Sequence, residues 1–395
     1  MSTQLSDRVN NMATSATLAM AAKARELRAA GKDIIGLSLG EPDFTIPDFV
    51  KEAAIQAVKD DYHSYTPVDG YVELKSAISH KFKRDNNLTY APSQIVVSTG
   101  AKQTLANLAQ VLLNDGDEVL LPAPYWVSYA DISKVAGGVP VEIKTSIASD
   151  FKVTPEALEA AITPKTKMMI YSSPCNPSGS VYSASELRAL ADVLVKYPNI
   201  IVVSDEIYEH INFTGEHASM AQFDDMYNQT VTVNGVSKAF SMTGWRIGYM
   251  GAPEYIAKAC TKMQGQVTSG ANCIAQRATI TALEHPPSDI QYMIDAFKHR
   301  RSVILDLLNE IPGFKTNEPE GAFYVFPDVS SFFGKSIRGK SIENASDFAL
   351  LLLEEANVAT VTGEAFGSPN CIRISYAASE AEIREAMKRI KELLS

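Results

Sequence analysis

"NIIVVSDEIY", Asn199 to Tyr208, has four apolar residues in a row after its asparagine and then turns to polar groups. A run this short and this continuously apolar reads as a strand buried on both faces, the kind found in parallel sheets with helices on either side. Its neighbours repeat the design. Upstream, "KMMIYSSPCNPSG" is an apolar strand that ends in a loop carrying Asn176; downstream, "TVTVNGVSK" ends on Lys238. Helical stretches lie between strands: "AKQTLANLAQVLL" after "QIVVSTG", "YWVSYADISKVAG" after "DEVLLPAP", and "SASELRALADVLVKY" before Asn199. Alternation of this kind predicts an α/β fold with a mainly parallel, doubly covered sheet.

In an open α/β sheet, ligands bind beyond the carboxyl ends of the strands. The three strands therefore deliver an amide (Asn176), a carboxylate and a phenol (Asp205, Tyr208) and an amine (Lys238) to one edge. "QIVVSTGAKQT" runs from strand through Gly100 into a helix, whose free backbone N–H groups suit a phosphate. Taken singly, each has an ordinary reading: helix start, cap, turn, core edge or surface lysine. Their combination fits pyridoxal phosphate, which needs a lysine for its Schiff base, a carboxylate beside the pyridine nitrogen and a phosphate cup. Arg246, which follows Lys238, can grip phosphate bidentately.

The stretch "GVSK" at 235–238 with "TGWRIG" at 243–248 resembles the lysine signature of class I aminotransferases. "LGEPDF" at 39–44, "YTPVDG" at 65–70, "PYWVSY" at 124–129, "NPSG" at 176–179 and "RISYA" at 373–377 extend the resemblance through nearly the whole chain, to the bacterial aspartate aminotransferase branch of fold-type-I pyridoxal phosphate enzymes. The resemblance implies a large domain (46–290) with a mainly parallel seven-stranded sheet covered by helices on both faces. It also implies a smaller α+β domain built from both chain ends: an N-terminal arm and segment at 1–45, and 291–395. Lys238 is then the Schiff-base lysine and the acid/base, Asp205 the partner of the pyridinium nitrogen, and Tyr208 and Asn176 the partners of the ring oxygen. Trp126 stacks on the ring; Gly100, Ala101, Lys102 and Arg246 form the phosphate cup, joined by Tyr65 from the neighbouring subunit of a homodimer. Arg373, with the Gly40 backbone and Asn176, holds the substrate carboxylate, a task suited to a planar guanidinium. The implied reaction moves the amino group of L-aspartate to 2-oxoglutarate.

Two positions depart from the family pattern. Gly235 stands where many relatives have a phosphate-binding hydroxyl, and Ala13 where some have a basic residue for a second substrate carboxylate. Lys102 and Thr17 remain as candidates for reading an acidic side chain. Transamination of aromatic amino acids, alanine or kynurenine stays open as an alternative, as does a lyase or decarboxylase on the same scaffold.

The bulk numbers agree with an ordinary globular enzyme. The 395 residues are 46% apolar and 21% charged, enough for a large core without metals or disulfides. A net charge of −10 and a pI near 5.2 disfavour nucleic acid and anionic membrane as partners. They also argue against a DNA-binding regulator built on this fold. Cys175, Cys260, Cys273 and Cys371 form no CxxC pair, so reduced thiols and a cytoplasmic location are expected, with no structural metal.

Overall fold

The computed structural model describes residues 5–10 and 12–395. In chain order the first eight strands are β1 (Ile35–Gly36), β2 (Ile95–Thr99), β3 (Glu118–Ala123), β4 (Val139–Lys144), β5 (Thr166–Ser172), β6 (Ile201–Asp205), β7 (Thr230–Gly235) and β8 (Ile247–Gly251). All but β1 form one seven-stranded sheet in the order β2-β8-β7-β6-β5-β3-β4. β8 runs antiparallel to both its neighbours, β2 and β7; the remaining pairs are parallel.

Side chains alternate across the sheet, as the strand period of two requires. Val119, Leu121, Met168, Ile170, Ile201, Val203, Val231 and Val233 enter one apolar layer. Leu120, Met169, Tyr171 and Val202 enter the layer on the opposite face. Helices Ala101–Leu112 and Ser128–Val135 cover the first face, and Ala184–Leu194 the second. Each such side chain contributes about 1.5–3 kcal/mol when fully buried.

Two strands lack a clear signature in the sequence. β4 is an edge strand with a half-exposed face and an internal proline, which is tolerated at an edge. β8 is short and holds two glycines, Gly248 and Gly251, where neighbours leave no room for a side chain: an ideal Cβ on Gly248 falls 2.1 Å from Ala101 N. The helix predicted from Tyr125 starts only at Ser128, so Trp126 lies on the connecting loop.

The remaining strands are β9 (Tyr324–Val325), the β10–β11 hairpin (Lys335–Ile337, Lys340–Ile342), β12 (Val358–Ala359), β13 (Val361–Thr362) and β14 (Ile372–Ser375). β13, β14 and β9 make a three-stranded antiparallel sheet, flanked by helices Gln291–Asn309, Ala345–Glu355 and Glu380–Leu394. β1 pairs in parallel with β12, so an N-terminal segment joins the C-terminal part. A single apolar cluster joins Val97 and Ile247 of the large sheet to Val325, Ile372 and Phe348.

Candidate active site

Topology gathers the chemistry at one edge. β5, β6 and β7 end there, placing Asp205 at the carboxyl end of β6 and Asn176 and Lys238 just past those of β5 and β7. β2 also ends there and hands over to Gly100. Because β8 runs the opposite way, its start lies at this same edge, which brings Arg246 beside Gly100. A cavity of about 270 Å³ opens at this edge, lined among others by Gly40, Ala101, Lys102, Trp126, Asn176, Asp205, Tyr208, Lys238, Arg246 and Arg373.

One end of the cavity is an anion site. Gly100 (φ 80°) caps the twelve-residue helix Ala101–Leu112, whose N-terminal N–H groups and dipole favour negative charge. Arg246 Nη2 lies 2.4 Å from where a Cβ on Gly100 would stand, so only glycine allows this approach. The guanidinium is fixed by donation from Nη1 to the Thr243 carbonyl at 2.9 Å. The Lys102 ammonium sits 4.8 Å from the Trp126 ring centre. Partial desolvation and the neighbouring Arg246 cation bring it below the ordinary lysine value. The charge that acts on Lys102 is that of Arg246, and among the described residues no carboxylate pairs with either cation. Two uncompensated cations at a helix N-terminus suit a phosphate.

Asp205 forms the floor and is 4% exposed. Oδ2 accepts from the Tyr129 hydroxyl at 2.6 Å and Oδ1 from the Ile207 N–H at 3.3 Å. Burial nevertheless pushes its pKa up to about 6, since the Tyr129 and Ile207 hydrogen bonds and the Lys238 charge only partly offset desolvation. A buried carboxylate in this condition gains from a cationic N–H partner, which a pyridinium supplies.

Lys238 is half-buried, and its Nζ donates to the Gly40 carbonyl at 2.7 Å. Desolvation, with Arg373 and Arg246 nearby, lowers its pKa to about 8 against the opposing pull of Glu41 and Asp205. Arg373 is 1% exposed. Its Nη1 donates to Asn176 Oδ1 at 2.9 Å and its Nη2 to the Ser38 carbonyl at 2.6 Å, while Nε is buried without a partner. The bond to Arg373 fixes which end of the Asn176 amide carries the oxygen and leaves its N–H groups as donors for a ligand. Tyr208 and Tyr324 share a 2.6 Å hydrogen bond between their hydroxyls.

The predicted residues thus converge, with one exception. Tyr65 is 99% exposed and lies away from this cavity, in a separate surface recess with His63 and Asn272. Thr17 lines the cavity and its buried Oγ1 has no partner; Ala13 is exposed and does not line it. A Cβ on Gly235 would lie 2.9 Å from the Ile247 carbonyl oxygen, so no hydroxyl side chain fits there, whereas Ser237 and Thr243 do line the cavity. Tyr129, Tyr324 and Ser172 are additional lining residues. The first two lie inside "PYWVSY" and "GAFYVFPDV", but nothing in their spacing indicates that they face the cleft.

Residues 32–390 match the model of the family "Aminotransferase class I and II". The chain is a class I/II aminotransferase. It is 48% identical over 391 residues to the aspartate/prephenate aminotransferase of Cereibacter sphaeroides, covering 98% of each chain. It is 46% identical over 393 residues to the aspartate aminotransferase of Bacillus subtilis, covering 99% of each. Among solved structures, the aspartate aminotransferase of Rhizobium meliloti superposes with a TM-score of 0.96 at 44% identity, over 99% of this chain and 98% of that one. The Thermus thermophilus aspartate aminotransferase with maleate gives 0.93 at 42%, over 99% of each. This aminotransferase uses pyridoxal phosphate, and the anion site, the buried acid and the low-pKa lysine all fit that cofactor. No helix among the described residues is long and apolar enough to cross a membrane.

Proposed function

We propose that the aminotransferase takes L-aspartate and 2-oxoglutarate to oxaloacetate and L-glutamate, and that it works as a cytoplasmic homodimer. The observation that carries the dicarboxylate reading is the Thr17 hydroxyl, which lines the Arg373 cavity and is buried without a partner. A site with buried polar groups to satisfy rejects side chains that leave them unpaired. The relatives named for aspartate support the same substrate.

Bound pyridoxal phosphate supplies an electron sink for the carbanion that forms at the substrate α-carbon. The chain's residues do the rest. Gly100, Ala101, Lys102 and Arg246 would hold the phosphate, and Asp205 would keep the ring nitrogen protonated. Trp126 would cover the ring face, and Tyr208 and Asn176 would donate to the ring oxygen. Arg373 grips the substrate α-carboxylate, with the Gly40 backbone alongside. Lys238 Nζ, its pKa lowered to about 8, would take the proton from the substrate α-carbon and hold it for return later in the reaction. Such matching of a base to its working pH is the usual route to general acid–base catalysis.

The division of the chain follows the sequence reading: arm and small-domain segment 1–45, cofactor domain 46–290, small domain 291–395. Pairing of β1 with β12 supports it. The exposed Tyr65 suits a side chain that completes a partner's site. The four free thiols suit a reducing compartment. Single-turnover spectroscopy of the cofactor-loaded protein with a panel of amino acids tests the proposal. Aspartate and glutamate should convert the cofactor to its amino form fastest; faster reaction with phenylalanine or kynurenine overturns the aspartate assignment.

A further inference from the structure

Tyr324 has no role in the reaction as derived above, yet it is held in place from several sides. It sits in β9, where it pairs with Ser375 of β14, the strand that carries Arg373. Its ring lies edge-on to Tyr208 (5.8 Å, 79°) and under the Arg373 guanidinium, 4.6 Å from ring centre to Cζ. Its hydroxyl packs so closely on Gly40 that a Cβ there would fall 1.9 Å from it. Residue 40 must therefore be glycine for the hydroxyl to occupy this place.

The hydroxyl has one hydrogen-bond partner among the described residues, Tyr208, at 2.6 Å. Two neutral phenols at this distance share one proton between them, and the other points elsewhere. Burial keeps both protonated, raising Tyr208 well above the ordinary tyrosine value and Tyr324 above it, with Arg373 opposing the rise at Tyr324. Both residues line the cavity, so when Tyr324 donates to Tyr208 the Tyr208 proton is left free for an acceptor there.

We propose that Tyr324 is a positioning residue that donates to Tyr208 and thereby commits the Tyr208 proton to an acceptor in the cleft, the ring oxygen of the cofactor. The inference rests on the proposed role of Tyr208. It gives the ring oxygen two oriented donors, each fixed from behind: Asn176 by Arg373, and Tyr208 by Tyr324. Arg373 contacts Asn176 and the Tyr324 ring, so both donors are linked, Tyr208 through Tyr324, to the group that receives the substrate carboxylate.

The test is a binding cycle on the apoprotein, with pyridoxal phosphate and its 3-deoxy analogue, which lacks the ring oxygen. Tyr324→Phe removes one oxygen and keeps the ring; thermal melting verifies its fold. It should weaken pyridoxal phosphate binding about three- to tenfold, the scale of one lost hydrogen bond, and leave analogue binding unchanged. Tyr208→Phe should abolish that selectivity, and the double variant should bind no more weakly than Tyr208→Phe alone. Gly40→Ala, which displaces the hydroxyl while keeping the tyrosine, should give the same selective loss and covers a Tyr324→Phe that does not fold. Equal losses for both cofactors, or additive losses in the double variant, overturn the role of Tyr324. Failure of the unaltered apoprotein to bind pyridoxal phosphate at all overturns instead the reading of the site on which it rests.

Discussion

The Tyr129 hydroxyl donates to Asp205 Oδ2 at 2.6 Å, with both side chains buried under the cleft. It stabilises the ionised carboxylate directly, while burial works against ionisation and leaves the pKa at about 6.

This balance gives the apoprotein a characteristic pH dependence. Asp205 is raised in the folded state, so the native protein binds more protons than the unfolded chain between about pH 4 and 6. Stability from this group is therefore lost as pH rises through that window, by up to about 3 kcal/mol. Urea denaturation of the apoprotein across pH 4–7 should show the decline. Asp205→Asn should remove it, and the loaded protein, which offers the carboxylate a cation, should show less of it. Tyr129→Phe should move the acid limb of kcat/KM upward by about 1–2 pH units. An unmoved limb separates Tyr129 from the ionisation of Asp205.

Lys238 must be neutral to capture the cofactor. With its pKa lowered to about 8, the rate of covalent capture by the apoprotein should climb with pH through about 8 and then level. Stopped-flow absorbance follows this directly. Lys238→Ala should melt normally yet capture nothing and turn over nothing; near-normal turnover would falsify its assignment.

Gly235 is buried in β7 opposite Gly248 of β8. Gly235→Ser places a Cβ 2.9 Å from the Ile247 carbonyl oxygen and 3.1 Å from Gly248 Cα. The strands must part, at about 1–3 kcal/mol. A lower Tm with no gain in cofactor affinity is expected. Unchanged stability with tighter phosphate binding contradicts this account of the position.

Tyr65 projects from the single chain with 99% of its surface exposed. If it completes a partner's site, then Tyr65→Ala and Lys238→Ala, each impaired alone, should recover activity when their subunits exchange, because one hybrid site holds both intact residues. Absence of recovery after verified exchange counts against a shared site.

Substrate choice turns on Lys102 and Thr17. Aspartate and glutamate should exceed alanine and phenylalanine in kcat/KM by at least about tenfold, or about 1.4 kcal/mol. Lys102→Ala and Thr17→Val should each shrink that ratio more than they slow alanine. Cofactor affinity of each variant, measured separately, removes the phosphate contribution of Lys102. A ratio that survives both substitutions assigns the selection elsewhere.

The sequence alone determined the strands around Val202, Ile170 and Val231, because burial on both faces demands unbroken apolar runs that few other structures tolerate. It also determined that Asn176, Asp205, Tyr208 and Lys238 meet, since a parallel sheet sends every carboxyl end to one edge. Tertiary structure decided what depends on direction and distance between remote segments. The reversal of β8 carries Arg246 to Gly100, a step hidden in a short strand with two glycines. The closeness of Tyr129 to Asp205 and of Tyr324 to Tyr208 joins residues 76 and 116 positions apart. A phenol in a helix or strand reads as core in any sequence, because only the packing around it decides whether its hydroxyl meets solvent, a carboxylate or another phenol. The blocked side-chain space at Gly235 is likewise set by the crossing strand, not by its own neighbours in the chain.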